Sequence, residues 1–396
     1  AMVHSPVIKP YNDEGEPNQL DGQSYLGGGT TSASHPLHIL NGFDLYAENQ
    51  RTFGNLSMSY QIMEGLTFRS MFGADRNVYS SDFYRKNSFL YRTATEGESM
   101  GQATNGRYVN WLWENTMNYN TSFGDHNVSI LAGYTAQKED SYLNTAIAQN
   151  YPDDKVPTLS GGQITTGNGI QEEWSLVSML GRVQYDYDTK YLLSASIRSD
   201  RSSRFGGDNE TGIFPSVSVG WRLLEEPFLE NFTLMNELKL RASYGVNGNF
   251  QIPNYGHIGL LQQDLYPIGQ TAEPALFQQT LGNSDLGWET TYQQNIGVSF
   301  GFLEDRIYGS IDFYNSDTKN LLLNVSTPSA TGFTSALTNI GEVNNKGMEI
   351  SVTSHNIDSD LKWNTDFNFS TNKNEVISLG PNDEPIRSAG AAGIRH

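Results

Sequence analysis

Apolar and polar residues alternate along much of this chain with a period of two. From Val177 to Tyr187, the residues Val177, Met179, Gly181, Val183, Tyr185 and Tyr187 are apolar, small or aromatic, and Ser178, Arg182, Gln184 and Asp186 lie between them. After an Asp188-Thr189 turn the alternation resumes, with Tyr191, Leu193, Ala195 and Ile197 against Leu192, Ser194, Ser196, Arg198 and Asp200. A third run sets Val217, Val219, Trp221 and Leu223 against Ser216, Ser218, Gly220 and Arg222. This periodicity predicts strands with one apolar and one polar face. Repeated strands of about ten residues are what a membrane-spanning barrel needs, because its outside meets lipid and its inside meets water.

The same pattern predicts about twelve strands. Hairpins are expected at 53–74 about Glu64-Gly65, at 109–134 about Gly124-Asp125-His126, and at 177–200 about Asp188-Thr189. Two more are expected at 292–313 about Glu304-Asp305 and at 348–369 about Asp358-Ser359-Asp360, with single strands at 216–223 and 238–245. Polar stretches at 77–106, 140–172, 247–286 and 318–345 read as loops. Short turns alternating with long loops match the periplasmic turns and extracellular loops of outer-membrane barrels. Residues 1–50 are therefore expected to be a loop region at the extracellular side, and 51–373 the transmembrane β-barrel strands with their long loops. Residues 374–396 are expected to be a loop tail, with the chain ending before the barrel closes. The soluble alternatives are a propeller or a repeated β-sandwich. They use shorter strands of about five or six residues, and no repeat of fixed length is present.

Composition agrees. The hydrophobic fraction, 37%, lies below the usual range of about 45–50%, as a wet lumen allows. No apolar run approaches the ~20 residues of a membrane-spanning helix, so insertion must be by strands. Lys plus Arg number 25 and Asp plus Glu 44, a net charge of −19 that disfavours nucleic acid. The acids serve either as solvated loop surface or as hard ligands. Asp153-Asp154 and Gly207-Asp208-Asn209-Glu210 offer oxygens for calcium, although neither fits the twelve-residue calcium loop. With no cysteine, disulfides and thiolate chemistry are excluded. The seven histidines have no zinc spacing, and His4, His35 and His38 lie in loop-like sequence. No serine sits in a nucleophile elbow, so neither a catalytic residue nor an enzyme is expected. The opening AMVHSPVIKP lacks a signal peptide, which implies a removed leader or a start inside a longer protein.

Two groups of side chains stand out. Arg198, Asp200, Arg201 and Arg204 cluster at the upper end of a strand, with Arg198 and Asp200 expected to face inward. Guanidinium groups suit bidentate pairing, so the cluster reads as a network bracing a loop against the wall; contact with an anionic or hydroxyl-rich solute is the alternative. Trp111, Trp113, Trp221, Trp288 and Trp363 lie near strand ends and read as girdle residues at headgroup depth. Tyr151, Tyr255 and Tyr266, in loops, offer rings on which a sugar can stack.

A further set of segments resembles one family. These are Lys190-Tyr191-Leu192-Leu193, the run from Arg198 to Phe205, Phe214-Pro215-Ser216, Gly220-Trp221, and Leu238 to Gly245 with Gly248-Asn249. They continue with Leu286-Gly287-Trp288-Glu289-Thr290-Thr291, Asn339-Ile340-Gly341 and Asn344 to Glu349. In this order, over roughly residues 170–375, they resemble the SusC/RagA family of TonB-dependent outer-membrane transporters. The resemblance implies a barrel of about 22 strands around an N-terminal plug. It also implies a SusD-like surface lipoprotein as lid, oligosaccharides or peptides as cargo, and energy passed through TonB. This chain has no recognisable plug or TonB-contacting segment and no terminal strand ending in an aromatic residue. It reads as an interior barrel fragment of such an importer. The rivals are a non-transporting barrel or adhesin and a soluble β-rich glycan-binding protein or hydrolase.

Overall fold

A computed structural model of the chain describes Tyr11, Gly15 and residues 40–86, 99–230, 232–269 and 271–380. Its strands are β1 (Phe43–Met63), β2 (Leu66–Arg85), β3 (Met100–Phe123), β4 (His126–Gln149), β5 (Gln163–Tyr187), β6 (Tyr191–Ser202), β7 (Thr211–Arg222) and β8 (Met235–Asn249). They continue with β9 (Leu261–Ile268), β10 (Thr271–Gln278), β11 (Glu289–Phe302), β12 (Ile307–Lys319), β13 (Leu322–Ser326), β14 (Ser335–Asn339), β15 (Glu342–Asp358) and β16 (Lys362–Ser378). Twelve form one sheet in the order β1-β2-β3-β4-β5-β6-β7-β8-β11-β12-β15-β16, while β9 pairs with β10 and β13 with β14. The twelve predicted strands are those of the large sheet, and the predicted short turns fall where expected. At one of them Asp188 and Thr189 both take positive φ, 53° and 51°, the conformation that closes a tight hairpin without splaying its strands.

The expected loops are shorter than the sequence suggested. Residues 43–50 already belong to β1, and 77–85 and 100–106 extend β2 and β3. Likewise 140–149 and 163–172 extend β4 and β5, and β16 runs on through Ser378. In these extensions polar residues occupy both faces, so the period-two contrast fades although the backbone keeps the extended form. The stretches 247–286 and 318–345 each hold a two-stranded hairpin, β9–β10 and β13–β14.

The chain divides into two compact units. The first comprises Ala1–Asn55, Gly73–Trp111 and Glu139–Glu173. It packs Tyr84, Ala148 and Tyr151 with Leu159. Tyr84 donates its hydroxyl to Asp154 at 2.8 Å, and the Tyr151 backbone N–H donates to Ser99 Oγ at 3.0 Å. Arg51 holds Asp75 with two bonds of 3.0 and 2.6 Å.

The second unit comprises Leu56–Phe72, Leu112–Lys138 and Trp174–His396. Its register carries the alternation from strand to strand. Tyr185, Leu193, Val219, Ala242, Ile296, Phe313 and Met348 stand level across seven strands on one face. One residue along, Gln184, Ser194, Ser218, Ser243, Asn295 and Tyr314 stand level on the other. A one-residue slip would exchange the faces, so the register is fixed by this contrast. Val219, Ile296 and Phe313 are exposed on the apolar side. No helix among the described residues is long and apolar enough to cross a membrane, a fact that leaves strand insertion open.

Candidate functional site: the polar wall and its loop scaffold

The polar face of the second unit lines a recess of ≈ 1210 Å³. Its wall is built from the level polar row and from a charged pair one row away. Arg241 Nη2 donates to both Asp312 oxygens, at 2.8 and 3.1 Å. Asn127 Nδ2 donates to both Asp186 oxygens at 3.2 Å, and Asn295 Nδ2 donates to Ser243 Oγ at 3.4 Å. The surface is therefore wettable and rich in donors and acceptors along the whole width of the wall. It is suited to contact hydroxyl- or amide-bearing molecules in water.

At the long-loop ends of the strands, the segments quoted above for their resemblance meet in one cluster. Phe205, Phe214, Val246, Ile252, Leu286 and Trp288 pack together, with Leu286 fully buried and Phe205 1% exposed. Trp288 lies 5.2 Å from the rings of both Phe205 and Phe214 and donates its indole N–H to the Glu210 carbonyl at 3.1 Å. A Cβ at position 248 would stand 2.1 Å from the Phe214 ring, which is why glycine is required there. The Asn339 side chain pairs with the Gly287 backbone like a second peptide group, accepting at 2.7 Å and donating at 2.8 Å. Glu289 accepts from Asn249 Nδ2 and from the Leu322 N–H, each at 3.1 Å. Trp288, expected in the girdle, is thus a core residue. The sequence showed the pieces but not that they converge.

The arginine cluster resolves into separate partnerships. Arg198 Nε donates to both Asp200 oxygens at 2.7 and 2.9 Å, and its Nη2 donates to buried Ser178 at 2.9 Å. Asp200 is 8% exposed, and a carboxylate so enclosed needs this pairing. Arg201 Nε donates to Glu210 at 2.6 Å, joining the ends of β6 and β7. Arg204 Nε donates to Asn254 at 3.0 Å, and its guanidinium lies 4.8 Å from the Trp174 ring centroid. The Arg204 carbonyl contacts His257 Nδ1 at 2.9 Å.

At the opposite, short-turn end lies a group the sequence did not suggest. Glu226 accepts from Tyr191 Oη at 2.5 Å and from Trp221 Nε1 at 2.9 Å, with Lys190 Nζ 3.7 Å away. Tyr187, Tyr191 and Trp221 stack in series, at 6.3 and 6.4 Å between centroids. Of the expected girdle residues, Trp113 and Trp363 are exposed. Tyr151 is 3% exposed, so it presents no free ring to a sugar, whereas Tyr266 is open.

The acidic stretches have protein partners. Asp153 pairs with Lys155, Asp154 with Tyr84 and Glu210 with Arg201. Among the described residues no three His, Asp or Glu gather as a metal ion would require. His4, His35 and His38 lie outside the described residues.

Comparison with known proteins agrees with this architecture. The family model for TonB dependent receptor-like β-barrels matches residues 8–389. TonB-dependent receptor P3 of Formosa agariphila is 34% identical over 337 residues, covering 83% of this chain and 33% of its own. TonB-dependent receptor SusC of Bacteroides thetaiotaomicron is 37% identical over 221 residues, 53% of this chain and 22% of its own. The structure of the RagAB peptide transporter superposes with a TM-score of 0.82 at 25% identity, over 93% of this chain and 40% of that one. The chain thus spans about a third of the length of curated relatives such as P3 (33%). With a family model matched over residues 8–389 and relatives more than 30% identical over most of its length, the chain belongs to the TonB-dependent receptor-like β-barrels, a family of outer-membrane receptors and transporters.

Proposed function

We propose that this chain is part of the barrel wall of an outer-membrane importer for oligosaccharides or peptides. The importer draws energy through TonB and works with a SusD-like surface lipoprotein as its lid. The observation that carries the reading is the unbroken polar row from Gln184 to Tyr314, backed by the apolar row from Tyr185 to Phe313. The arginine cluster serves this wall indirectly: Arg198 and Asp200 hold the strand top, and Arg201 and Arg204 tie the following loop to its neighbours. Deleting the gene in its host and growing the cells on single glycans and single peptides tests the reading. Growth should fail on one class and return on complementation. Unchanged growth on every source, with surface attachment lost instead, would favour the adhesin.

A further inference from the structure

The first unit carries a small recess of its own, of ≈ 260 Å³, on strands β2 to β5. Hydrogen bonds show which side chains share its face. Tyr108 Oη and Asn110 Nδ2 both donate to Glu139 Oε2, each at 3.0 Å. Arg107, one residue along, turns to the opposite face, where it pairs with Asp140 at 3.3 Å and lies 5.1 Å from the Tyr142 ring centroid. Gln171 reaches the same Asp140 at 3.5 Å, so its neighbours Ile170 and Glu172 fall on the face of Tyr108.

The lining on that face is mostly apolar. Tyr79, Leu143 and Ile170 are exposed around the recess, and Gly106 adds no side chain to it. A Cβ at Gly106 would stand 2.9 Å from Leu143 Cδ1. Asn77 is the exception: its Oδ1 is buried and meets no donor among the described residues. A buried acceptor left unpaired is costly, and a donor from a ligand would relieve it. Turning the amide toward such a ligand gives up no hydrogen bond at that oxygen.

These features narrow the occupant. The volume is below the roughly 300–1,000 Å³ that holds a drug-sized molecule, and suits one side chain or one ring. A sugar ring carries hydroxyl groups around its edge, and those facing Leu143 and Ile170 would lose water without gaining a partner. An acidic group would meet Glu172 in the lining, while the one basic lining residue, Arg107, points away. An apolar side chain satisfies the wall, and the peptide N–H beside it supplies the donor that Asn77 lacks. We propose that this recess is a socket for one apolar side chain of a peptide cargo. The inference rests on the reading of the chain as an importer wall, and narrows its cargo to peptides. Ile170 and Glu172 belong to the even-numbered residues of β5, the set that includes Gln184 of the polar row.

The test uses the purified full-length transporter, immobilised and exposed to a random hexapeptide library. Retained peptides should be enriched in Leu, Ile and Phe over the input. Leu143→Asp with Ile170→Asp should lower retention of those peptides about tenfold, the worth of one buried apolar side chain. Gln171→Lys, on the other face, should leave it unchanged, and the heat-dependent gel shift of the folded barrel checks that each variant is assembled. Undiminished retention by the double variant overturns the inference, as does enrichment of charged rather than apolar residues by the wild type. Retention of no peptide overturns it too. The importer reading then stands if the deletion strain fails to grow on a glycan, and falls with the socket if growth is unchanged on every source.

Discussion

Arg241 and Asp312 are bonded at 2.8 Å although a strand lies between them. Arg241 is on β8 and Asp312 on β12, so the pair reaches over β11, about 10 Å from strand to strand. The register places Gly297 in that gap, level with both. A Cβ there would stand 2.0 Å from Asp312 Oδ1. The absent side chain makes the bridge possible. Both partners are partly exposed to the recess, so removing either charge should cost only about 0.5–1 kcal/mol. Gly297→Val forces the pair apart and crowds the wall, and should cost more, about 1–3 kcal/mol. Denaturant midpoints of the folded barrel in detergent would show the order. A Gly297→Val midpoint above that of Asp312→Ala would rule out the bridge as drawn.

The two faces make a sharper prediction about lipid. Val219 is exposed and stands in the apolar row with Leu193 and Ala242, and its neighbour Ser218 stands in the polar row with Ser194 and Ser243. Val219→Arg should destabilise the inserted barrel by about 2–4 kcal/mol if it lies near the bilayer centre. Ser218→Arg, one residue along, should be tolerated. Equal costs for the two, measured by unfolding from lipid vesicles, would mean that the faces are wrongly assigned.

Phe205, Leu286 and Trp288 hold loops that are some eighty residues apart in sequence. Truncating any one to alanine should cost about 2–5 kcal/mol. Gly248→Ala should act similarly without removing an atom, because its methyl group meets the Phe214 ring. The damage should be local: limited proteolysis would cut within 250–288 while the barrel keeps its folded mobility on gels. Intact loops in Trp288→Ala would contradict this.

Asp200 sits between Arg198 and an enclosed environment, so Asp200→Ala leaves the guanidinium facing the neutral Ser178 hydroxyl in place of a carboxylate. A loss of about 1–3 kcal/mol is expected. Arg201→Ala should change little, since that pair is open to solvent. Bracing predicts faster proteolysis within 203–210 for Asp200→Ala. If uptake affinity falls while that loop stays resistant, the cluster instead contacts solute.

Wherever one face meets lipid and the other water, the strands were readable from sequence. Val217, Val219 and Trp221 against Ser216, Ser218 and Gly220 gave the strand and its facing together. Legibility ended where β2 to β5 extend into stretches such as 163–172, with threonine on both sides, glutamine on one and asparagine on the other. There the pairing rests on backbone bonds to neighbouring strands, which leave no period in the side chains. The motif residues were each visible, but Phe205 meeting Trp288 is a contact between distant segments that no local pattern encodes. Glu226 was hidden for the same reason, since its partners Tyr191 and Trp221 reach it from two strand ends.

Glu226 gives a pH test of that last group. Hydrogen bonds from Tyr191, then from Trp221, with Lys190 nearby, hold its carboxyl below the ordinary glutamate value. A carboxyl lowered on folding binds its proton more readily in the unfolded chain. Its contribution to stability is therefore complete above the unfolded value, about 4.3, and is lost as pH falls through the lower folded value. The wild-type barrel should lose stability over this acidic window by more than Glu226→Gln does, because the amide cannot titrate. Thermal midpoints between pH 7 and pH 3 would provide the comparison. Parallel curves for the two proteins would show that Glu226 is not held in its charged form by Tyr191 and Trp221.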